Sequence, residues 1–97
     1  MAQFDVHSLA DGGLVVDCQA EVLRFLQTRF IVPLLPAGLV LETPGLNPTF
    51  VLNGSGMSLY PQGAANIPTA ELGALIGSLA DEQHKVMNAI DMLLAGF

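Results

Sequence analysis

Charged side chains are scarce in this chain, and basic ones most of all. Lysine and arginine together number three against nine acidic residues, which gives a formal net charge of −6. This balance argues against a basic surface that follows the phosphates of a nucleic acid. It fits a basic protein partner, and equally the solubility of a chain that is 52% hydrophobic. So small and apolar a chain is expected to bring part of its apolar surface against a partner.

Cysteine is nearly absent as well. Cys18 is the only one, so the chain can form no intramolecular disulfide and no thiolate cluster for zinc. We expect Cys18 to be a buried strand residue. His7 and His84 lie far apart, and neither belongs to a metal-ligand spacing such as HExxH. The sequence therefore predicts neither a metal site nor a cofactor.

Long hydrophobic runs are missing too. The longest uncharged apolar segment, residues 30–41, is interrupted by Pro33, Pro36 and Gly38 and is too short to span a bilayer. The N-terminal segment lacks the basic region and following apolar stretch of a secretory signal peptide. We therefore expect a cytoplasmic protein that does not enter a membrane.

Combinations of residues that would support catalysis are equally hard to find. Ser55 and Ser58 have no neighbouring base in the sequence, and there is no GxSxG elbow. The glycines of residues 54–56 lack the following helix and the further glycine or lysine of a phosphate-binding loop, which favours a turn. We predict no catalytic residues. The enzymatic alternative that stays open is a ribonuclease dependent on Arg24, Arg29 or a histidine.

Alternating hydrophobic residues in the first half of the chain predict β-strands. The alternation at residues 4–6 and 14–18 predicts an antiparallel pair, with residues 10–13 as the turn. Residues 28–35 are rich in β-forming side chains, and Pro33 among them predicts an edge strand or a bulge. We predict a further short strand at residues 38–42.

Between the predicted strands and further along the chain, the patterns are more varied. Residues 19–26 are compatible with either a helix or a strand. After a loop at residues 43–47, a turn at residues 53–56 is flanked by two hydrophobic segments, which predicts a hairpin. A weak strand is predicted at residues 65–68.

The pattern then changes to helical spacing. Leu79, Val86, Ile90 and Leu93 recur on one face, which predicts an amphipathic helix over residues 81–94. Ser78 or Asp81 can cap its first turn, and Gly96 lies where a helix commonly ends.

The predicted elements define the fold class. Several short strands followed by one terminal helix predict a single α+β domain over residues 1–97, mainly β, with the helix against a strongly curved sheet or small barrel. A domain of this size is marginal enough that oligomerisation would help to stabilise it.

Several segments occur in an order and spacing that a known family shares. They are residues 3–6 (QFDV), 16–19 (VDCQ), 29–34 (RFIVPL), 67–68 (IP) and 88–97 (NAIDMLLAGF). On these segments the chain resembles the CcdB family, the toxins of the CcdA/CcdB type II toxin–antitoxin systems.

The resemblance implies an SH3-like barrel of antiparallel strands with a small accessory sheet and a C-terminal helix, assembled as a homodimer. It also implies a toxin that binds the A subunit of DNA gyrase and traps the complex of gyrase with cleaved DNA. A CcdA-like antitoxin would neutralise it, and operator DNA would be bound only through that antitoxin.

The resemblance further implies a set of gyrase-binding residues. Its centre falls on the last three residues and its flanks on two other segments, which gives Ala95, Gly96, Phe97, Ala20, Val22, Leu23, Asn88 and Asp91. The alternative is that the apolar members fill the core or a dimer interface and that Gly96 only ends the helix.

Ala95 departs from the family pattern, because the best-known toxin of the family has a tryptophan there. A tryptophan anchor typically carries much of the energy of an interface. The departure leaves three outcomes open: gyrase poisoning is weak, is compensated by Phe97, or is lost. In the last case the chain is a degenerate member that binds an antitoxin without poisoning gyrase.

Overall fold

The computed structural model describes residues 2–39 and 41–96. It has seven strands and one α-helix in these residues: β1 (Asp5–Ser8), β2 (Leu14–Asp17), β3 (Thr28–Pro36), β4 (Thr49–Leu52), β5 (Ser55–Leu59), β6 (Ala65–Pro68), β7 (Leu75–Ser78) and α1 (Gln83–Ala95). None of the described helical residues forms a helix long and apolar enough to cross a membrane.

All seven strands belong to one antiparallel sheet with the order β4-β5-β3-β2-β1-β7. β6 pairs with β3 beside this path, as a small additional arm of the sheet. The sheet curls so that its two ends approach each other. Asn53 Nδ2 donates to the Ile76 carbonyl at 3.3 Å, and a Cβ at Gly77 would lie 2.9 Å from Leu52 Cδ1. The mainly β, barrel-like fold class is therefore confirmed.

The hairpins follow the alternation of the sequence. β1 pairs with β2, with Val6 opposite Val16, and both side chains are fully buried. β4 and β5 are joined at Asn53 and Gly54, whose φ angles of 51° and 82° suit the tight turn of a two-residue hairpin. Both hairpins and the strand at residues 65–68 confirm the predictions.

β3 is a central strand, so the prediction of an edge strand or bulge from Pro33 was wrong. One side of β3 pairs with β2, and the other pairs with β6 at residues 28–31 and with β5 at residues 34–36. Pro33 stands between these two pairings, and its carbonyl accepts from the Tyr60 amide at 2.9 Å. The missing N–H of Pro33 lies on this same side, where the Tyr60 carbonyl accepts instead from the Gly63 amide at 3.0 Å, so no acceptor is left unpaired.

One further prediction is corrected, and one open assignment is decided. The strand expected at residues 38–42 is not formed by its described residues, because Gly38 has a φ of 96° and turns the chain away from β3. Val40 lies outside the described residues. The ambiguous segment 19–26 is neither a strand nor an α-helix, since Glu21–Leu23 form a single 3-10 turn.

β7 was not predicted from the sequence. It pairs with β1 across a register shift between Val6 and His7, and its residues are exposed or half-buried. Four residues with one glycine carry little alternation, so pairing with β1 rather than local pattern forms this strand.

The predicted helix is confirmed within one turn. A 3-10 turn at Ala80–Glu82 precedes α1, and the Ser78 hydroxyl accepts from the Ala80 amide at 3.1 Å. No side chain caps α1 itself. The helix ends at Gly96, which has a φ of 84° and donates its amide to the Met92 carbonyl at 2.9 Å.

The helix covers one face of the curled sheet. Val86 and Ala89 are fully buried in the core. At its start, Lys85 Nζ donates to the Thr49 carbonyl at 2.9 Å and lies 4.5 Å from the ring centroid of Phe50. The strands and the residues that flank them contribute the rest of the core, namely Phe4, Val6, Val16, Cys18, Val32, Leu34, Phe50, Leu52, Met57, Leu59 and Leu79.

A buried ion pair joins β2 to β3. Arg29 Nε donates to Asp17 Oδ2 at 2.8 Å, and Arg29 Nη2 lies 2.6 Å from the same oxygen. Both side chains are almost completely buried, and Asp17 Oδ1 accepts from the Gln19 amide at 3.1 Å. The pair fixes the end of β2, from which the next segment of the chain leaves the sheet.

Candidate functional site

The first part of the predicted site is the 3-10 turn that follows β2. Gln19 is buried and holds both ends of this segment: its Nε2 donates to the Leu23 carbonyl at 3.1 Å, and its Oε1 accepts from the Phe30 amide at 3.2 Å. The Glu21 carboxylate accepts from the Gln3 amide. The turn is therefore held in place before any partner binds.

The predicted residues of this turn are on the surface. Val22 is 78% exposed, Leu23 is 40% exposed, and Ala20 is exposed as well. The alternative that Val22 and Leu23 fill the core of the monomer is therefore excluded. A fixed turn that displays apolar side chains is suited to contact with another protein.

The second part of the predicted site is the outer face of α1. Asn88, Asp91 and Ala95 follow each other at spacings of three and four residues, so they share one face, and all three are exposed. Gly96 ends the helix in the left-handed conformation and is also exposed. Phe97, the last predicted residue, lies outside the described residues.

The structure thus assembles the predicted residues into two groups. Ala20, Val22 and Leu23 share one turn, while Asn88, Asp91 and Ala95 share one helix face. Within residues 2–39 and 41–96 no hydrogen bond joins the two groups. The side-chain hydrogen bonds of the turn go to Gln3 and Gln19 instead. Each group is therefore positioned by its own contacts.

Sequence reasoning missed two apolar side chains beside these groups. Phe25 is 73% exposed two residues after the turn, and Leu94 is 78% exposed on the last turn of α1. Leu94 gave no signal of its exposure, because it follows Ile90 by four residues and helical spacing alone would place it beside Val86 and Ile90. Phe25 gave none either, since it lies in a segment whose conformation was ambiguous.

Two of the four side chains that a ribonuclease was expected to need are buried. Arg29 is 1% exposed and is paired with Asp17. His7 is 5% exposed, with Nδ1 3.1 Å from the Gly73 carbonyl oxygen. Arg24 and His84 are exposed. No three His, Cys, Asp or Glu side chains of the described residues come together as metal ligands.

Three clefts on the described part of the surface lie away from the predicted residues. One lies between the turn of β1 and β2 and residues 70–73, one beside Leu26 and Pro68, and one beside Leu39 and Tyr60. None of the three is lined by a predicted site residue. The candidate site is therefore an exposed surface suited to a macromolecule rather than a pocket for a small molecule.

Cys18 is a poor nucleophile in this structure. It is buried one residue past the end of β2, and burial, with a smaller contribution from the Asp17 charge, raises the pKa of its thiol from 9.0 to about 12. At pH 8 the folded protein should react with iodoacetamide far more slowly than the protein in urea, where unfolding restores the ordinary pKa. Mass spectrometry of the alkylated chain measures both rates; equal rates would contradict the burial of Cys18.

The same pKa shift predicts the sign of a pH effect on stability. The folded state holds the Cys18 proton more tightly than the unfolded state does. The resulting contribution to stability is therefore fully present below the unfolded-state pKa of 9.0, and it is lost as the pH rises toward about 12.

Comparison with known proteins agrees with this architecture. Among solved structures, the Mycobacterium tuberculosis toxin MazF-mt6 superimposes with a TM-score of 0.77 at 18% identity, covering 93% of this chain and 95% of that one. An Mtb toxin superimposes with a TM-score of 0.72 at 20% identity, covering 88% and 94%. A search of curated proteins gives no match.

The curled antiparallel sheet with one C-terminal helix is thus a fold that this chain shares with barrel-like toxins. The family model described as CcdB protein matches residues 3–96. The chain belongs to the CcdB family of toxins, as the order of its segments predicted.

Proposed function

We propose that this protein binds the A subunit of DNA gyrase and traps the complex of gyrase with cleaved DNA. A CcdA-like antitoxin neutralises it in the cytoplasm, and operator DNA is bound only through that antitoxin. The proposal rests on membership of the CcdB family and on the exposure of every described residue of the expected binding surface.

The observation that carries the proposal is that apolar side chains at the expected binding surface are exposed to solvent and do not pack into the core. Val22 and Leu94 are each 78% exposed, on a turn and a helix whose backbones are fixed by the contacts described above. Exposed apolar residues on a rigid support lose little conformational entropy on binding, which favours an interface.

Poisoning of gyrase needs no chemistry from the toxin. A ligand that binds the cleaved state of gyrase more tightly than the resting state shifts the enzyme toward cleavage and stalls its cycle. A homodimer suits this task, because a two-fold symmetric ligand can make the same contacts twice on a two-fold symmetric enzyme. We propose that the protein acts as such a dimer.

Ala95 favours the second candidate, a family member that binds antitoxin without poisoning gyrase. Its methyl group is exposed at the end of α1 and offers little area to a partner. Truncation of an anchoring aromatic residue to alanine typically costs an interface about 2 kcal/mol or more. If the protein does poison gyrase, the contact energy that a tryptophan would supply has to come from the apolar residues around Ala95.

A ribonuclease is the weakest candidate. Of the residues it was expected to need, Arg29 is neutralised by Asp17 inside the protein and His7 is buried. The exposed Arg24 and His84 come from separate elements, on a chain with a net charge of −6. This is little cationic surface for an RNA backbone.

A matched pair of substitutions tests the proposed surface. Val22 and Val51 are 78% and 72% exposed, but only Val22 belongs to the candidate site. We expect Val22→Ser to weaken binding to purified gyrase A about tenfold, the loss of about 1.4 kcal/mol of contact energy. Calorimetric titration measures both variants. Val51→Ser should bind like the unaltered protein, and equal affinities for the two variants would contradict this placement of the surface.

A further inference from the structure

Met92 is the last residue of α1 that is not exposed. Leu93, Leu94, Ala95 and Gly96, which follow it, are all exposed. The Met92 carbonyl also accepts the amide of Gly96 at 2.9 Å, the hydrogen bond that ends the helix. The direction in which the C-terminal end leaves the domain is therefore set at Met92.

The side chain of Met92 packs on the loop between β3 and β4. A Cβ at Gly45 would lie 3.1 Å from Met92 Sδ and 3.8 Å from Met92 Cε, so the loop backbone reaches the thioether as closely as a glycine allows. Gly45 has a φ of 80°, a conformation that glycine adopts readily. Because it has no side chain, its backbone can also approach the helix closely.

The loop is anchored firmly enough to act as a support. Asn47 is 4% exposed, and its Nδ2 donates to the Leu59 carbonyl and to Gln62 Oε1, both at 3.0 Å. Its Oδ1 accepts from the Thr43 amide at 3.0 Å. Asn47 therefore ties the loop that carries Gly45 to the main sheet.

We infer that Gly45 is a positioning residue: by its contact with Met92 it fixes the last turn of α1 and so orients the partner-binding end of the protein. The inference rests on the proposed function, since it concerns the surface that gyrase A would meet. It adds the loop at residues 43–47 to the determinants of binding, although the loop itself makes none of the expected contacts.

Two glycines allow a matched test. Asparagine tolerates the left-handed conformation better than other side chains, so Gly45→Asn adds bulk against Met92 with less backbone strain than they would cause. Gly54→Asn is the control, because Gly54 has a φ of 82° and a Cβ there would meet nothing within 4 Å. Met92→Ala removes the contact from the other side.

Two readouts apply to each variant. We expect Gly45→Asn and Met92→Ala to weaken binding to gyrase A about tenfold. We also expect them to lower the heteronuclear NOE of the Ala95 and Gly96 amides, which reports backbone motion on the picosecond to nanosecond scale. Gly54→Asn should change neither quantity.

The outcomes separate this inference from the proposed function. If the unaltered protein does not bind gyrase A, the proposed function fails, and the NOE values alone decide whether Gly45 orders the last turn. If it binds and Gly45→Asn binds equally well, or the NOE values of Ala95 and Gly96 stay unchanged, the contact is ordinary packing and the inference is wrong.

Discussion

Asp17→Asn is expected to lower the free energy of unfolding by about 3–5 kcal/mol, because it leaves the Arg29 guanidinium buried without a counter-charge. The amide keeps the shape of the carboxylate, so the loss reports charge rather than packing. The pair also closes the end of β2, from which the turn bearing Val22 begins. Urea denaturation at a fixed protein concentration measures the change.

A half-buried ion pair at the start of α1 supplies the control. Lys85 Nζ lies 2.8 Å from Glu82 Oε2, but both side chains are more than one third exposed. Solvent screening limits such a pair to at most about 1 kcal/mol, so Glu82→Gln should change stability by less than that. A loss below about 1 kcal/mol for Asp17→Asn as well would contradict the burial of the pair.

The parts of the fold that local pattern determines could be predicted from the sequence. The two hairpins and α1 were found because alternation, turn glycines and helical spacing all act within a few residues of the chain. β7 was not predicted because it is held by long-range pairing with β1. The prediction of a strand at residues 38–42 was wrong for a different reason. Gly38 has a positive φ and turns the chain where the strand was expected.

Pro33 shows how topology overrides a local rule. Proline is excluded from central strands because it removes a ladder hydrogen bond. In β3 the neighbour on that side changes from β6 to β5, and Pro33 occupies the interval between them. Only the arrangement of three strands makes this position tolerant, and a single sequence does not contain that arrangement.

The candidate site was predictable only through the resemblance to the family. Charge and composition indicated a protein partner, but nothing in residues 19–26 indicated a rigid turn with Val22 on the outside. The structure supplies the missing part: Gln19 bonds to both sides of the turn, and the glycine of the loop between β3 and β4 supports Met92. Such contacts join residues far apart in the chain.

Removal of Gly96 and Phe97 is expected to abolish the poisoning of gyrase while leaving the fold intact. Gly96 is exposed and follows the last turn of α1, and the buried helix residues Val86 and Ala89 lie more than one turn earlier. Gly96 itself contributes no side chain to the core that the described residues form. Thermal unfolding of the shortened chain should stay close to that of the intact one, which separates lost binding from lost structure.

A DNA cleavage assay with purified gyrase, ATP and this protein tests gyrase poisoning most directly. We expect the intact chain to accumulate cleaved DNA and the chain without Gly96 and Phe97 to leave DNA uncleaved. If the intact chain, folded and dimeric, produces no cleaved DNA, the protein is not a gyrase poison, and antitoxin binding without toxicity becomes the better account of its function.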